Sequence, residues 1–424
     1  MSPVAQRLHL PQELWMEIFT YLSPTEKANV RATFNYFKTL IDHPVLWKKS
    51  TIVLGNITPL NDDFWELLRN RKIHAIEVKK MKMKQWKKLT TSLPGLLNLT
   101  IDSCLTQEIL TFLHPLTKLQ KLHLKDCSGL LDRHILMEVV HYNQLTHLSL
   151  CNIKCFVGVP LTAVACLKNL FFLSLHAKYG FLNAVGVQSA LFHLPKLREL
   201  SITVHLKNTQ RLSECFILPE AVGSREGELS CLPKLQLQKL ELIYFDHSGL
   251  TENALGQLSS LQTISLHNYK NDNMEFLNLM LKKLPNLTEV NLVGFSSLDL
   301  CCIPPRLEKF CAIRTRINNE TLHQLFLCAR NLKHLDLSFS YGFDVFCLTK
   351  LPVRCPRLAK LYLRGLNFPE ETLIVLASMK SLRELDISNN KLLTPEAIFK
   401  FQSMTSNRTH QIVHRLQLES LCCC

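Results

Sequence analysis

Leu332-Lys333-His334-Leu335-Asp336-Leu337, Leu358-Ala359-Lys360-Leu361-Tyr362-Leu363 and Leu382-Arg383-Glu384-Leu385-Asp386-Ile387 are three copies of one unit, L-x-x-L-x-L. The alternation within each unit is that of a β-strand with one apolar face. Working back towards the N-terminus, good copies begin at Leu96, Leu119, Leu145, Leu170, Leu197, Leu237, Leu261 and Leu287. Weaker copies begin at Ile73 and Leu307, and a last possible one is Val413/Leu416/Leu418. Most steps between units are 20–27 residues. Helix-like segments such as Arg133–Val140, Glu320–Leu327 and Glu370–Ala377 lie between them.

A strand and a helix repeated at this period are the signature of a leucine-rich repeat solenoid. Each buried apolar side chain contributes about 1.5–3 kcal/mol, against about 1–2 kcal/mol to order each residue's backbone. One repeat therefore cannot stand alone, neighbours must stack, and the ends need caps. Pro94, Pro195, Pro285 and Pro356 each stand two residues before the first leucine of a unit, where proline ends a helix and feeds a strand. The 40-residue step from Leu197 to Leu237 is too long, and its polar, Gly-containing excess within 205–232 reads as a surface loop.

Upstream of the repeats, Leu8–Trp47 reads LHLPQELWMEIFTYLSPTEKANVRATFNYFKTLIDHPVLW. Leu14, Ile18, Tyr21 and Leu22 form one apolar helix face, and Trp15, Phe19 and Leu22 form a second. Ser23-Pro24-Thr25-Glu26 carries a capping box and opens another helix. Val30, Phe34, Phe37 and Ile41 follow at helical spacing until Asp42-His43-Pro44 stops it. About 40 residues with this many apolar faces cannot bury them among themselves. Either the stretch is a cap on the repeats, or one face belongs to a partner.

The stretch resembles an F-box, the plug for the Skp adaptor of SCF-type ubiquitin ligases. Leu10-Pro11, Ile18-Phe19-x-Tyr21-Leu22, Val30, Leu40 and Pro44-x-Leu46-Trp47 match in order. Phe37 stands where the family usually has tryptophan, and Thr33-Phe34 replaces its Val-Cys or similar pair. The resemblance implies an α/β chain in which a three-helix F-box precedes a curved parallel sheet, concave side inward, with helices on the convex side. The expected domains are 1–50, the F-box; 51–72, a connecting strand and helix; 73–394, about 12–13 repeats; and 395–424, a C-terminal cap and tail. It also implies the role of an F-box/leucine-rich repeat substrate receptor, bound through the adaptor to cullin and RING subunits. Its adaptor-binding residues would be Leu10, Pro11, Leu14, Ile18, Leu22, Val30, Phe34, Phe37, Leu40, Leu46 and Trp47.

On the sheet, the second and third spacer residues of each unit project from the concave side. Phe172 and Tyr362 are aromatic there, and Glu241, Glu289, Asp336, Glu384 and Asp386 tilt the later copies acidic. These seven are the expected target-binding residues, suited to a protein with basic or hydrogen-bonding groups. A nucleic-acid groove would want a continuous Lys/Arg stripe, so the net charge of +14 does not imply one.

No catalytic, phosphate-binding or cofactor-binding motif is present, and the expected chain is not an enzyme. The sixteen cysteines include no C-x-x-C, so no metal site is expected. Without a signal-like or membrane-spanning segment, the expected setting is cytoplasmic or nuclear, with reduced thiols. The basic run Lys79–Lys88 reads either as a solvated repeat edge or as an anion-binding or import patch, with Trp86 partly buried. Cys422-Cys423-Cys424 is not a C-a-a-X box, because the fourth residue from the end is leucine. The alternative reading of the whole is a repeat scaffold or inhibitor whose N-terminal helices are only a cap.

Overall fold

The computed structural model describes residues 10–55, 61–103, 109–127, 138–152, 161, 164–176, 184–203, 212–217, 235–243, 250–267, 274–405 and 411–412. The chain divides into two compact units, 1–159 with 166–179, and 160–165 with 180–424.

The first unit opens with α1 (Gln12–Thr20), α2 (Pro24–Arg31) and α3 (Asn35–Ile41). Ser23 and Glu26 close the expected capping box at the start of α2. The helical line from Val30 to Ile41 is broken, however. Phe34 is extended, at φ −143° and ψ 143°, and caps α3. Spacing alone could not show this, because a three-residue break between short helices keeps the apolar residues near helical spacing.

Six parallel strands follow: β1 (Thr51–Leu54), β2 (Ala75–Lys79), β3 (Asn98–Asp102), β4 (Lys121–Lys125), β5 (His147–Cys151) and β6 (Phe172–His176). The segment expected to connect thus supplies the first strand of the ladder. It is joined to β2 by α4 (Asp62–Asn70), whose Asn61 cap accepts a hydrogen bond from the Phe64 N–H at 3.0 Å. The basic run folds as the end of β2, a turn, and α5 (Met83–Ser92).

In the second unit the strands are β7 (Glu199–Thr203), β8 (Lys239–Ile243), β9 (Thr263–His267), β10 (Glu289–Val293), β11 (Lys309–Ile313), β12 (His334–Asp336), β13 (Lys360–Tyr362), β14 (Glu384–Asp386) and β15 (Gln411–Ile412). They pair in parallel, each with the next in sequence. The final strand lies at 411–412, with Ile412 opposite Leu385, ahead of the copy expected at Val413. The terminal cysteines and most of the 205–232 segment lie outside the described residues. What is described of that segment is not a surface loop: Leu212–Cys215 is a 3-10 turn with Leu212, Cys215 and Phe216 buried. Gln188 donates a hydrogen bond to the Ile217 carbonyl beside it.

The repeat leucines make the core of each unit. All three apolar positions are buried even in the weak copies, Ile73/Ile76/Val78 and Leu307/Phe310/Ala312. The backbone repeats too. The carbonyl at the first spacer accepts two N–H groups from the next repeat: Lys333 from Ala359 and Lys360, then Ala359 from Arg383 and Glu384. Among the described residues the chain turns left-handed two residues past the third apolar position, at Lys80, Ser103, Asp126, Asn152, Gly294, Arg314, Phe339, Gly365 and Asn389. The N–H there extends the ladder, as Phe339 N–H does to Arg364 O at 2.7 Å and Gly365 N–H to Ser388 O at 2.9 Å. Helices end at Ser92, His193, Lys283 and Arg354, each two residues before one of the four prolines. The expected helices near Glu320 and Glu370 run Asn319–Cys328 and Glu370–Leu376, while most of 133–140 lies outside the described residues.

Candidate functional site

The two apolar faces of α1 separate. Phe19 turns inward and is buried, whereas Leu14, Ile18 and Tyr21 are 44%, 42% and 81% exposed. Phe37 is the hub of the interior. Trp15 meets its ring edge-on at 4.8 Å, and Phe19 and Phe34 meet it at 5.4 and 5.7 Å. Contacts of this kind add about 0.5–1.5 kcal/mol each beyond area burial.

The base of the module is pinned to the first repeat. Trp47 is buried and donates its indole N–H to the Ile41 carbonyl. Lys27 Nζ donates to the Leu46 carbonyl at 2.7 Å. Arg71, at the end of α4, lies 4.0 Å over the Trp47 ring and donates to Asp42 at 2.6 Å. Arg31 forks onto the same carboxylate at 2.9 and 3.0 Å. Burial alone would raise the Asp42 pKa; the two guanidinium groups outweigh it and hold the carboxyl below its ordinary range.

The adaptor list therefore divides. Leu10, Pro11, Leu14, Ile18 and Phe34 are exposed, and Leu22 and Val30 half-buried. Phe37, Leu40, Leu46 and Trp47 are instead buried in the chain's own core, so their apolar side chains hold the module together and are not offered to a partner. Tyr36 and Val45 join the exposed apolar set. Sequence reasoning missed them because both depend on where the break after α2 aims the chain.

Residues 8–52 match the F-box-like family model. The N-terminal segment is an F-box-like domain. It carries Leu14, Ile18 and Phe34 as exposed apolar side chains. Comparison with curated protein sequences finds no match. Among solved structures, the chain is similar to an internalin, InlF, from Listeria monocytogenes, at 16% identity, 87% coverage of each chain and a TM-score of 0.45. It is also similar to a structure of the Rad7 and Elc1 complex in yeast, at 16% identity, with 97% of this chain and 95% of that chain covered and a TM-score of 0.43. No helix among the described residues is long and apolar enough to cross a membrane.

Behind the F-box-like domain the open sheet faces carry the spacer residues. In the first unit Phe172 is half-buried and tilts against His147 at 5.8 Å. Burial pushes the His123 pKa down, with Lys125 adding to it. The basic run holds Lys79 against Glu77 at 2.9 Å and Lys88 against Asp62 at 2.6 Å. Trp86 is buried and lines a cavity of about 360 Å³ with Val78, Ile101 and Ile109.

In the second unit the acidic spacer residues have partners in place. Lys309, from the weaker copy that begins at Leu307, pairs Glu289 at 3.4 Å. Lys360 pairs Glu384 at 2.8 Å, and the Tyr362 hydroxyl donates to the same carboxylate at 2.6 Å. Glu241 is held by His267 at 3.2 Å and by the Ser201 hydroxyl. Asp336 and Asp386 accept turn N–H groups from Ser338 and Ser388 at 2.9 and 3.0 Å, and Asp386 is buried beside Arg364. Asp386 is thus held in a turn beside Arg364, and the lysine pairs at Glu289 and Glu384 reduce the acidic excess of the face. Side-chain reach across strands decides this, and single-strand patterns do not contain it.

Just past the strand, the Cys127 thiol donates to the Lys125 carbonyl at 3.2 Å, and Asn390 Nδ2 donates to the Phe368 carbonyl of the preceding repeat at 3.3 Å. Among the described cysteines Cys151 is disulfide-bonded, and Cys127, Cys215, Cys311 and Cys355 are buried free thiols.

Proposed function

We propose that this chain is the substrate-recognition subunit of an SCF-type ubiquitin ligase. The F-box-like domain docks on a Skp adaptor, which joins it to cullin and RING subunits. The open faces of the repeat sheet hold a target protein and so promote its ubiquitination and degradation. The chain itself does no chemistry. It raises the effective concentration of a target lysine near a charged conjugating enzyme. The cell compartment is cytoplasmic or nuclear.

The observation that carries this reading is the separation of faces on α1. A module that buries Phe19, Phe37 and Trp47 leaves Leu14, Ile18 and Tyr21 in solvent. A pure cap would have no use for that second face. The cap reading keeps one observation, the anchoring of Trp47 and Asp42 by Arg71. The two roles use opposite faces and coexist.

The test is affinity purification of the full chain against its Ile18→Asp variant. Deleting the first 49 residues is a poorer test, because it strips Trp47 and Asp42 from Arg71. Recovery of the adaptor and cullin by the wild type and their loss from the folded variant is the expected result. Equal recovery from both overturns the proposal.

A further inference from the structure

The register of β11 on β12 places Cys311 directly beside Asp336, and His334 two residues earlier on the same face of β12. Their ligand atoms, one thiol sulfur, one imidazole nitrogen and one carboxylate oxygen, all lie within 4.8 Å of one another. Cys311 is a buried thiol at the floor of the cluster, and His334 and Asp336 are half-buried around it. We propose that Cys311, His334 and Asp336 form a site for one divalent cation of the zinc class.

The donor set selects the metal. A thiolate and an imidazole favour Zn²⁺ over Ca²⁺ or Mg²⁺, which want oxygen alone. Bonds of about 2.0–2.3 Å to a tetrahedral zinc put donor atoms roughly 3.5 Å apart, so rotation of these side chains by about 1 Å closes the set. Three protein ligands leave one position for water. The surroundings hold the ligands in place: the Asp336 carboxylate is oriented by the Ser338 N–H at 2.9 Å, and the His334 ring meets Tyr362 edge-on at 5.0 Å. Two lysines stand nearby, but Lys309 is paired to Glu289 and Lys360 to Glu384. The Cys311 proton leaves as the metal binds, so loading releases a proton.

No sequence motif marks this site, because its ligands are not close in sequence. Here they come from adjacent repeats and meet only through strand register. The inference does not rest on the adaptor reading.

Titration of the purified full chain with Co²⁺ tests it. The expected result is one equivalent bound, with tetrahedral d–d absorption and a thiolate-to-cobalt charge-transfer band, both displaced by Zn²⁺. Cys311→Ala should abolish the charge-transfer band, and His334→Gln should weaken binding at least tenfold, with the metal-free melting curves close to wild type. The neighbouring thiols Cys301 and Cys302 are the control, and their double change to serine should leave the band intact. If Cys311→Ala does not fold, protection of wild-type Cys311 from alkylation by added Zn²⁺ replaces it. Absence of the band, its survival in folded Cys311→Ala, its loss with Cys301 and Cys302, or unprotected Cys311 overturns the proposal.

Discussion

The Arg71 guanidinium lies 4.0 Å over the ring of Trp47. It joins the F-box-like domain to the first helix of the repeats while gripping Asp42 from the side. Arg71→Leu removes the stacked cation and one of the two partners of a half-buried carboxylate. The expected loss is about 2–3 kcal/mol, since Arg31 still pairs Asp42. Arg71→Lys should recover little of it, because an ammonium cannot fork and stack at once. Chemical denaturation of the three proteins measures this, and a wild-type midpoint in Arg71→Leu rules the joint out. The same pair sets a pH dependence. Asp42 has a lowered pKa in the folded state, so its contribution is complete above the ordinary carboxylate range. It is lost as pH falls through the lowered folded value, and Asp42→Asn should flatten that acid limb.

On α1, neighbouring positions should behave in opposite ways. Leu14→Asp and Ile18→Asp place charge in solvent, so melting should stay within about 0.5 kcal/mol of wild type. Adaptor affinity should fall at least tenfold, or about 1.4 kcal/mol. Phe19→Asp buries a charge among Trp15 and Phe37 and should unfold the domain. Calorimetric titration with the adaptor, paired with melting curves, separates the two classes. Full adaptor affinity in Ile18→Asp would remove the exposed face from the interface.

Gly365 is a position where only glycine fits. Its φ is +67°, and a Cβ there would sit 2.5 Å from a ring carbon of Phe339. Gly365→Ala should cost about 1–3 kcal/mol. In a Phe339→Ala background the clash is gone and only the left-handed strain remains, so the further cost should drop to about 1 kcal/mol. An unchanged cost in that background means the ring is not what excludes the methyl group.

Ser340 ties two repeats through one hydroxyl. It donates to the Ala312 carbonyl at 2.6 Å and accepts the Thr315 N–H at 3.1 Å, both buried. Ser340→Ala orphans both backbone groups and should cost about 1–3 kcal/mol. Ser378→Ala, at an exposed hydroxyl, should stay within about 0.5 kcal/mol. Equal effects at the two sites would mean that water reaches the Ala312 carbonyl.

The repeats were legible in the sequence because burial on one face of a strand imposes a period of two, and stacking imposes a period near 25 on top. Hence Leu358, Leu361 and Leu363 could be placed in the core from the sequence alone, as could the capping box of Ser23 and Glu26. Tertiary structure decided everything that depends on two segments meeting. It put Phe37 and Trp47 inside, turned Glu289 and Glu384 towards lysines of adjacent strands, and gathered Cys311, His334 and Asp336 on one face. The physical reason is range. Apolar periodicity is local to each element, whereas pairing and ligation are set by strand register between residues some 20–26 positions apart.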